Sequence, residues 1–242
     1  MYYSRINKIP LSIQVHLKEE AAFGCSLCGC PLIEYSYITP DSNVDSITEL
    51  TQQNIIAICP NCRIKYEKGE LTEHCLREAK NNPHNRIRPK DAFFVDKKEI
   101  SVRLGKSTFI NTSRLLVVND FDLISISRVR DAFLVLDVNF FDNLGNNLIA
   151  SIFGNSWITL DQSWNIDYKP RYLSIRHPYR KISLEVIIKN EEIIVDANYV
   201  YYDGHKVKIN NDGIWLDDVE IAVDLKGCIL KNYESGIDIQ TD

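Results

Sequence analysis

The sequence predicts an α+β protein in two parts: a small cysteine-clamped module over residues 1–90 and an all-β domain over residues 91–242. Three observations carry this reading. Two Cys-x-x-Cys pairs, Cys25-Ser26-Leu27-Cys28 and Cys59-Pro60-Asn61-Cys62, stand in the first part. Helical periodicity flanks them and stops at Asn81-Asn82-Pro83, where a charged stretch with Pro83 and Pro89 marks a boundary. After Phe93 the pattern becomes a succession of short β-branched runs separated by Gly, Asn and Asp turns. At 242 residues, 45% hydrophobic and 25% charged, the composition is that of an ordinary soluble chain, with room for one large domain or two small ones. No run reaches the roughly 18 apolar residues a membrane helix needs, so no membrane partner is expected. Met1 to Lys8 lack the pattern of a secretory signal.

The elements follow in chain order. A first helix is expected from Pro10 to Ala22. Pro10 suits a first turn, and Ile13, Leu17 and Ala21 form a stripe at four-residue steps. Gly24 can end it, and His16 falls on the solvent side. Leu32 to Ile38 is apolar and aromatic enough for one strand of a hairpin. Asp41 to Gln53 reads as a polar loop, and Ile55 to Ile58 leads into the second cysteine pair. A helix is expected from Asn61 to Glu67, and the stripe Leu71, Cys75 and Ala79 marks another.

Four thiolates suffice for one tetrahedral zinc ion, so Cys25, Cys28, Cys59 and Cys62 are the expected ligands. A closed shell of four sulfurs makes that zinc structural, with no open position for catalysis. The spacing between the pairs, about 30 residues, exceeds that of a short zinc ribbon and requires a small domain folded between them. Seven cysteines is an odd count, and five lie by residue 62. This favours metal binding in a reducing, cytoplasmic compartment over a disulfide framework. Cys30 is a spare thiol or an alternate ligand, and Cys75 and Cys228 are expected to be buried small apolar residues.

The order of features in the first part resembles the zinc-bearing bacterial HNH endonucleases. The carrying residues are Glu20-Ala21-Ala22-Phe23-Gly24-Cys25 at the entry, Leu32-Ile33-Glu34-Tyr35-Ser36-Tyr37-Ile38-Thr39-Pro40 between the knuckles, and Asn54-Ile55-Ile56-Ala57-Ile58 before the second knuckle. Arg63 and Gly69 follow it, and Asn82-Pro83-His84-Asn85 closes the region. The resemblance covers about the first 90 residues and implies a ββα-metal fold. It also implies where chemistry would reside. The family's two adjacent histidines fall on Ser36 and Tyr37, and the histidine after the second knuckle falls on Arg63. Only Asn54 keeps the family's residue. A phenol with a pKa of about 10 is a poor base near neutrality. A serine hydroxyl is a weak ligand, and a guanidinium repels a metal ion. The resemblance therefore implies the scaffold of a nuclease with its catalytic groups replaced.

The net charge is −5, which by itself does not mark a nucleic-acid binder. Residues 63 to 90 are nonetheless basic, and Arg63, Lys65 and Lys68 are the candidate phosphate-binding group. The alternative for Arg63 is a pair with Glu67 one helical turn away.

The second part is expected to be a sandwich or small barrel, with solenoid-like rungs after Ile193 as a further option. Runs at 100–104, 114–118, 123–126, 133–140, 148–153, 157–160, 172–176, 182–188, 193–195, 207–209, 214–216 and 219–223 are the expected strands. Trp157, Trp164 and Trp215, with Tyr199, Tyr201 and Tyr202, form either core or a recognition face. His177 and His205 have no ligand spacing, and Arg176, Arg180 and Lys181 form a small basic group. Asn155-Ser156-Trp157 is loosely similar to an element of companion domains in the same family.

Three functional expectations follow. The first is a DNA-associated HNH-like protein with structural zinc, a degenerate nuclease centre and a partner on its β domain. The second is an active endonuclease using Mg2+ or another divalent ion, with Asn54, Glu34 or Glu67, and His74 or His84 standing in for the lost groups. The third is a non-enzymatic protein-interaction module.

Overall fold

In this computed structural model the chain divides into two units, Met1–Ala92 and Phe93–Asp242. The structure describes residues 9–39, 52–130, 132–159, 161, 163–177, 183–221 and 227–241. Most of the expected loop at 41–53 lies outside them, as do Arg180 and Lys181.

The first unit is built on a hairpin of β1 (Glu34–Tyr37) and β2 (Ile55–Ile58), with Glu34 opposite Ile58 and Tyr37 opposite Ile55. Strand side chains alternate between faces, so each strand serves two packings. Ile33, Tyr35, Ile55 and Ala57 join Ile9, Leu17 and Ala21 in one buried cluster, with Ile13 and Tyr37 packed against it. The apolar stripe of α1 (Leu11–Glu20) thus covers one face of the hairpin. Glu34 and Ser36 point to the other face, where α2 (Pro60–Glu67) lies. Arg63 of α2 pairs with Glu34, and Tyr66 donates its hydroxyl to the Ile38 carbonyl.

The second half of the unit differs from the expected stripe. Helix α3 (Glu73–Asn81) starts at the Thr72 cap, whose hydroxyl accepts from the Cys75 amide at 3.3 Å. That phase buries Leu76 and leaves Cys75 exposed. Cys75 is therefore a surface thiol, and Cys228 is only half-buried; neither is the core residue expected. The short α4 (His84–Ile87) then folds back on the first knuckle. The His84 amide donates to the Ser26 carbonyl at 2.9 Å, and Asn85 donates its side-chain amide to the Ala22 carbonyl at 3.0 Å.

The second unit is all β. One sheet has the order β18-β5-β6-β7-β8-β9, comprising β5 (Arg114–Val118), β6 (Phe121–Val129), β7 (Phe133–Phe141), β8 (Leu148–Phe153), β9 (Ser156–Thr159) and the C-terminal β18 (Ser235–Ile239). The other runs through β10 (Asn165–Lys169), β11 (Tyr172–Arg176), β12 (Leu184–Lys189), β13 (Glu192–Tyr202), β14 (His205–Asn210), β15 (Gly213–Leu216) and β16 (Val219–Glu220). Branching from β13 in that sheet are β3 (Ser101–Leu104), β4 (Ser107–Ile110) and β17 (Ile229–Lys231). Strands β4, β10, β17 and β18 have no counterpart among the runs expected from the sequence. Tight turns set the local hairpins: Gly154-Asn155 and Asp203-Gly204 have positive φ at both central residues, as primed turns require.

Three closures are long-range and parallel: β3 with β13, β4 with β17, and β5 with β18. The last buries Ile237 and Ile239 beside Leu116 and Val118. Replacing Ile237 with alanine should therefore lower the stability of this unit by about 2 to 5 kcal/mol, the usual cost of emptying a core site. Val219→Ala, at a residue 66% exposed, should change it little. Chemical denaturation followed by tryptophan fluorescence measures both.

Candidate metal centre

The site is assembled by the two knuckles. The first turns tightly after Cys25: the Gly29 amide donates to the Cys25 carbonyl at 2.8 Å, and the Cys25 amide to the Cys30 carbonyl at 2.7 Å. Gly29 adopts φ +79°, and a Cβ there would lie 2.5 Å from the Asn85 amide oxygen. Glycine is needed for both reasons. The second knuckle is the start of α2. Cys59 is its N-cap and accepts the Cys62 amide on sulfur at 3.5 Å, while Pro60 occupies the first turn. Helix initiation and ligand placement are the same local event.

The sulfur atoms of Cys25, Cys28, Cys59 and Cys62 all lie within 4.8 Å of one another, with Cys28 and Cys59 at 3.6 Å. Four sulfurs bonded to one zinc at about 2.3 Å would lie about 3.8 Å apart, so the cluster fits that ion. All four cysteines are free thiols. Hydrogen bonds from Cys25, Cys59 and Cys62 push the Cys28 thiol far down, whereas burial pushes Cys25 well up. Contacts with Cys25 and Cys28 likewise push Cys62 up. One thiolate is easy to form among the other thiols, and further ones need a positive ion to offset their charge. Among the described residues this is the one group of three or more His, Cys, Asp or Glu whose ligand atoms converge. Cys30 is 1% exposed and stands outside it.

The other candidate positions do not form a second centre. Ser36 is 5% exposed and donates to the Tyr37 carbonyl at 3.3 Å. Tyr37 packs on the opposite hairpin face, against the α1 cluster. Asn54 serves the main chain: its oxygen accepts from the Thr39 amide and its nitrogen donates to the Thr39 carbonyl, both at 3.0 Å. Arg63 is 7% exposed. Its Nε contacts Glu34 and its Nη1 contacts Glu67 at 2.5 Å. Arg63 thus makes the one-turn pair with Glu67 that was its alternative reading, and Glu34 holds the same buried guanidinium from the strand. Burial pushes the Glu34 carboxyl up, and the Arg63 charge pulls it part of the way back. Lys65 and Lys68 are exposed. His74 is exposed, and His84 lies 3.5 Å from Asp91, away from Glu34 and Glu67 as ligands.

In the second unit Trp157 and Trp164 belong to the core, packed with Phe140; Trp164 also meets His177 edge-on. Trp215 is half-buried under Lys208, and His205 pairs with Asp217 at 2.7 Å. Asn155 is structural: it exchanges hydrogen bonds with the Leu136 amide and the Leu134 carbonyl. No protein-family model matches the chain, and no curated protein or solved structure matches it either.

Cys59→Ser should abolish metal retention and unfold the first unit while leaving the β unit folded. Metal analysis reads the ion, amide hydrogen exchange of first-unit peptides reads their unfolding, and tryptophan fluorescence, whose three reporters all lie in the second unit, reads the β unit. Arg63→Ala should destabilise the first unit by about 3 to 5 kcal/mol, because it strands a buried carboxylate. Lys65→Ala, on the exposed side of the same helix, should be close to neutral, and amide hydrogen exchange of first-unit peptides measures both variants.

Proposed function

We propose that the chain is a DNA-associated protein on an HNH-like ββα scaffold, with structural zinc on Cys25, Cys28, Cys59 and Cys62 and no working nuclease centre. The observation that carries this reading is the buried ion pair of Arg63 with Glu34. Where the resembled family places a metal-holding histidine, this chain has a fixed cation neutralised by a strand carboxylate. Ser36 beside it supplies one buried hydroxyl, and Tyr37 faces away. Neither a divalent ion nor a base for water is provided for. When bound, the zinc holds the two knuckles together; its four sulfurs leave no position for substrate.

Contact with DNA then rests on exposed cations. Lys65 and Lys68 lie at α2, and Arg86, Arg88 and Lys90 follow α3. Such contacts track phosphates without reading sequence, so binding should be weakly specific and should fall steeply with salt. A second reading, a protein-interaction module, is favoured by the exposed apolar side chains Leu148, Phe153 and Ile158 on β8 and β9.

Purified protein should leave plasmid DNA uncut with magnesium, manganese or nickel. In fluorescence anisotropy it should bind duplex oligonucleotides at low salt, and a Lys65→Glu, Lys68→Glu double variant should bind several-fold more weakly. Metal-dependent nicking that tracks the protein through purification would overturn the non-cleaving reading. Undetectable affinity at low salt would remove the DNA role and favour the interaction module.

A further inference from the structure

The four ligand cysteines are not equally shielded. Cys25, Cys59 and Cys62 are 0, 2 and 7% exposed, whereas Cys28 is half-buried. Cys28 lines a cleft of about 510 Å3 whose walls include Leu27, Ala79, Asn82, His84 and Arg88. Of the four converging cysteines, Cys28 alone is among the residues lining that cleft. The Cys59 sulfur lies 3.6 Å behind it, on the other knuckle.

We infer that Cys28 is an oxidation site, at which a peroxide entering the cleft converts Cys28 and Cys59 into a disulfide and expels the zinc. The inference rests on the zinc reading above. In the first step the Cys28 thiolate attacks one peroxide oxygen, the O–O bond breaks, and hydroxide leaves a sulfenic acid on Cys28. The Cys59 thiolate then attacks that sulfur, the S–O bond breaks, and a second hydroxide leaves. With two protons taken up, two thiolates and one hydrogen peroxide become one disulfide and two waters. Sulfur gives two electrons and the peroxide oxygens accept them. Only Cys25 and Cys62 would then remain to hold a zinc ion, two sulfurs where a structural site takes four. Two other thiols are poor candidates for the role. Cys30 is 1% exposed, and exposed Cys75 is hydrogen-bonded to the Thr72 hydroxyl, away from the converging sulfurs.

The test uses the full chain carrying Cys75→Ser, with its zinc content measured first. Hydrogen peroxide is added, released zinc is followed with a chromogenic chelator, and the product is cleaved at Glu34 and Glu49 for sequencing of crosslinked peptides by mass spectrometry. Zinc release and the Cys28–Cys59 disulfide should appear in step, and a dithiol with added zinc should reverse both. Ala79→Phe, which narrows the cleft, should slow release several-fold at unchanged zinc content. Release accompanied by a different disulfide, or zinc that resists peroxide, would overturn the inference while leaving the zinc reading intact. Protein that contains no zinc at the outset would remove that reading and the inference together. The disulfide mapping decides the matter even where the Ala79 variant folds poorly.

Discussion

Convergence of four sulfurs from two distant knuckles is the constraint on which the first unit depends. Its hairpin strands have four residues each, and a two-stranded hairpin of that size is marginal in water. Helix α2 has eight residues, short of the roughly 12 to 15 an isolated helix needs. The buried cluster under α1 is small. None of these parts is self-sufficient. One ion bound by Cys25, Cys28, Cys59 and Cys62 would close the chain between the knuckles and fix strand, knuckle and helix at once. Structural zinc in small peptides contributes on the order of 10 kcal/mol, enough to decide whether such a unit folds. Asn85 reinforces the same place, packed where Gly24 and Gly29 leave room.

The second constraint is the Glu34–Arg63 pair. Two opposite charges taken out of water cost several kcal/mol each, and their attraction returns that cost only with good geometry. Here Arg63 also reaches Glu67, and the hairpin and α2 hold the partners from both sides. The pair does not add much net stability, but removing either member leaves an uncompensated charge. It therefore locks the register of α2 against β1. A site locked in this way is poorly suited to exchange a divalent ion, whose ligands must be anionic or neutral and open to one side.

Much of this was legible because it is local. Cys-x-x-Cys spacing places ligands directly, the Ile13, Leu17 and Ala21 stripe gives the buried face of α1, and Asn81-Asn82-Pro83 ends α3. The failures share one cause. Cys75 fits a helical stripe in sequence, but the Thr72 cap sets the phase of α3 and turns Leu76 inward instead. Arg63 looked like a surface cation because it lies on a polar helix; only the fold brings Glu34 beneath it, 29 residues away. Likewise β17 and β18 carry no turn signal, since their partners β4 and β5 lie more than a hundred residues earlier. Local pattern reports local structure, and contacts made at long range leave little trace in it.

The two units thus solve chain closure by different chemistry. The first brings four sulfurs together, and an ion bound there would be open to withdrawal by acid or chelation. The second closes through hydrogen-bonded strands, with β18 returning to β5 and β3 joining β13, over a core that is mainly aliphatic and aromatic. The parallel pairs carry ion pairs of their own, Arg103 of β3 with Glu192 of β13 at 3.5 Å and Arg114 of β5 with Glu234 at 3.4 Å, but their ladders are closed by backbone hydrogen bonds and need no bound ion. Conditions that open the metal centre should act on one unit and spare the other. An ion in the first unit would thus make its fold conditional on the state of four sulfurs, a condition that the backbone ladders of the β unit do not share.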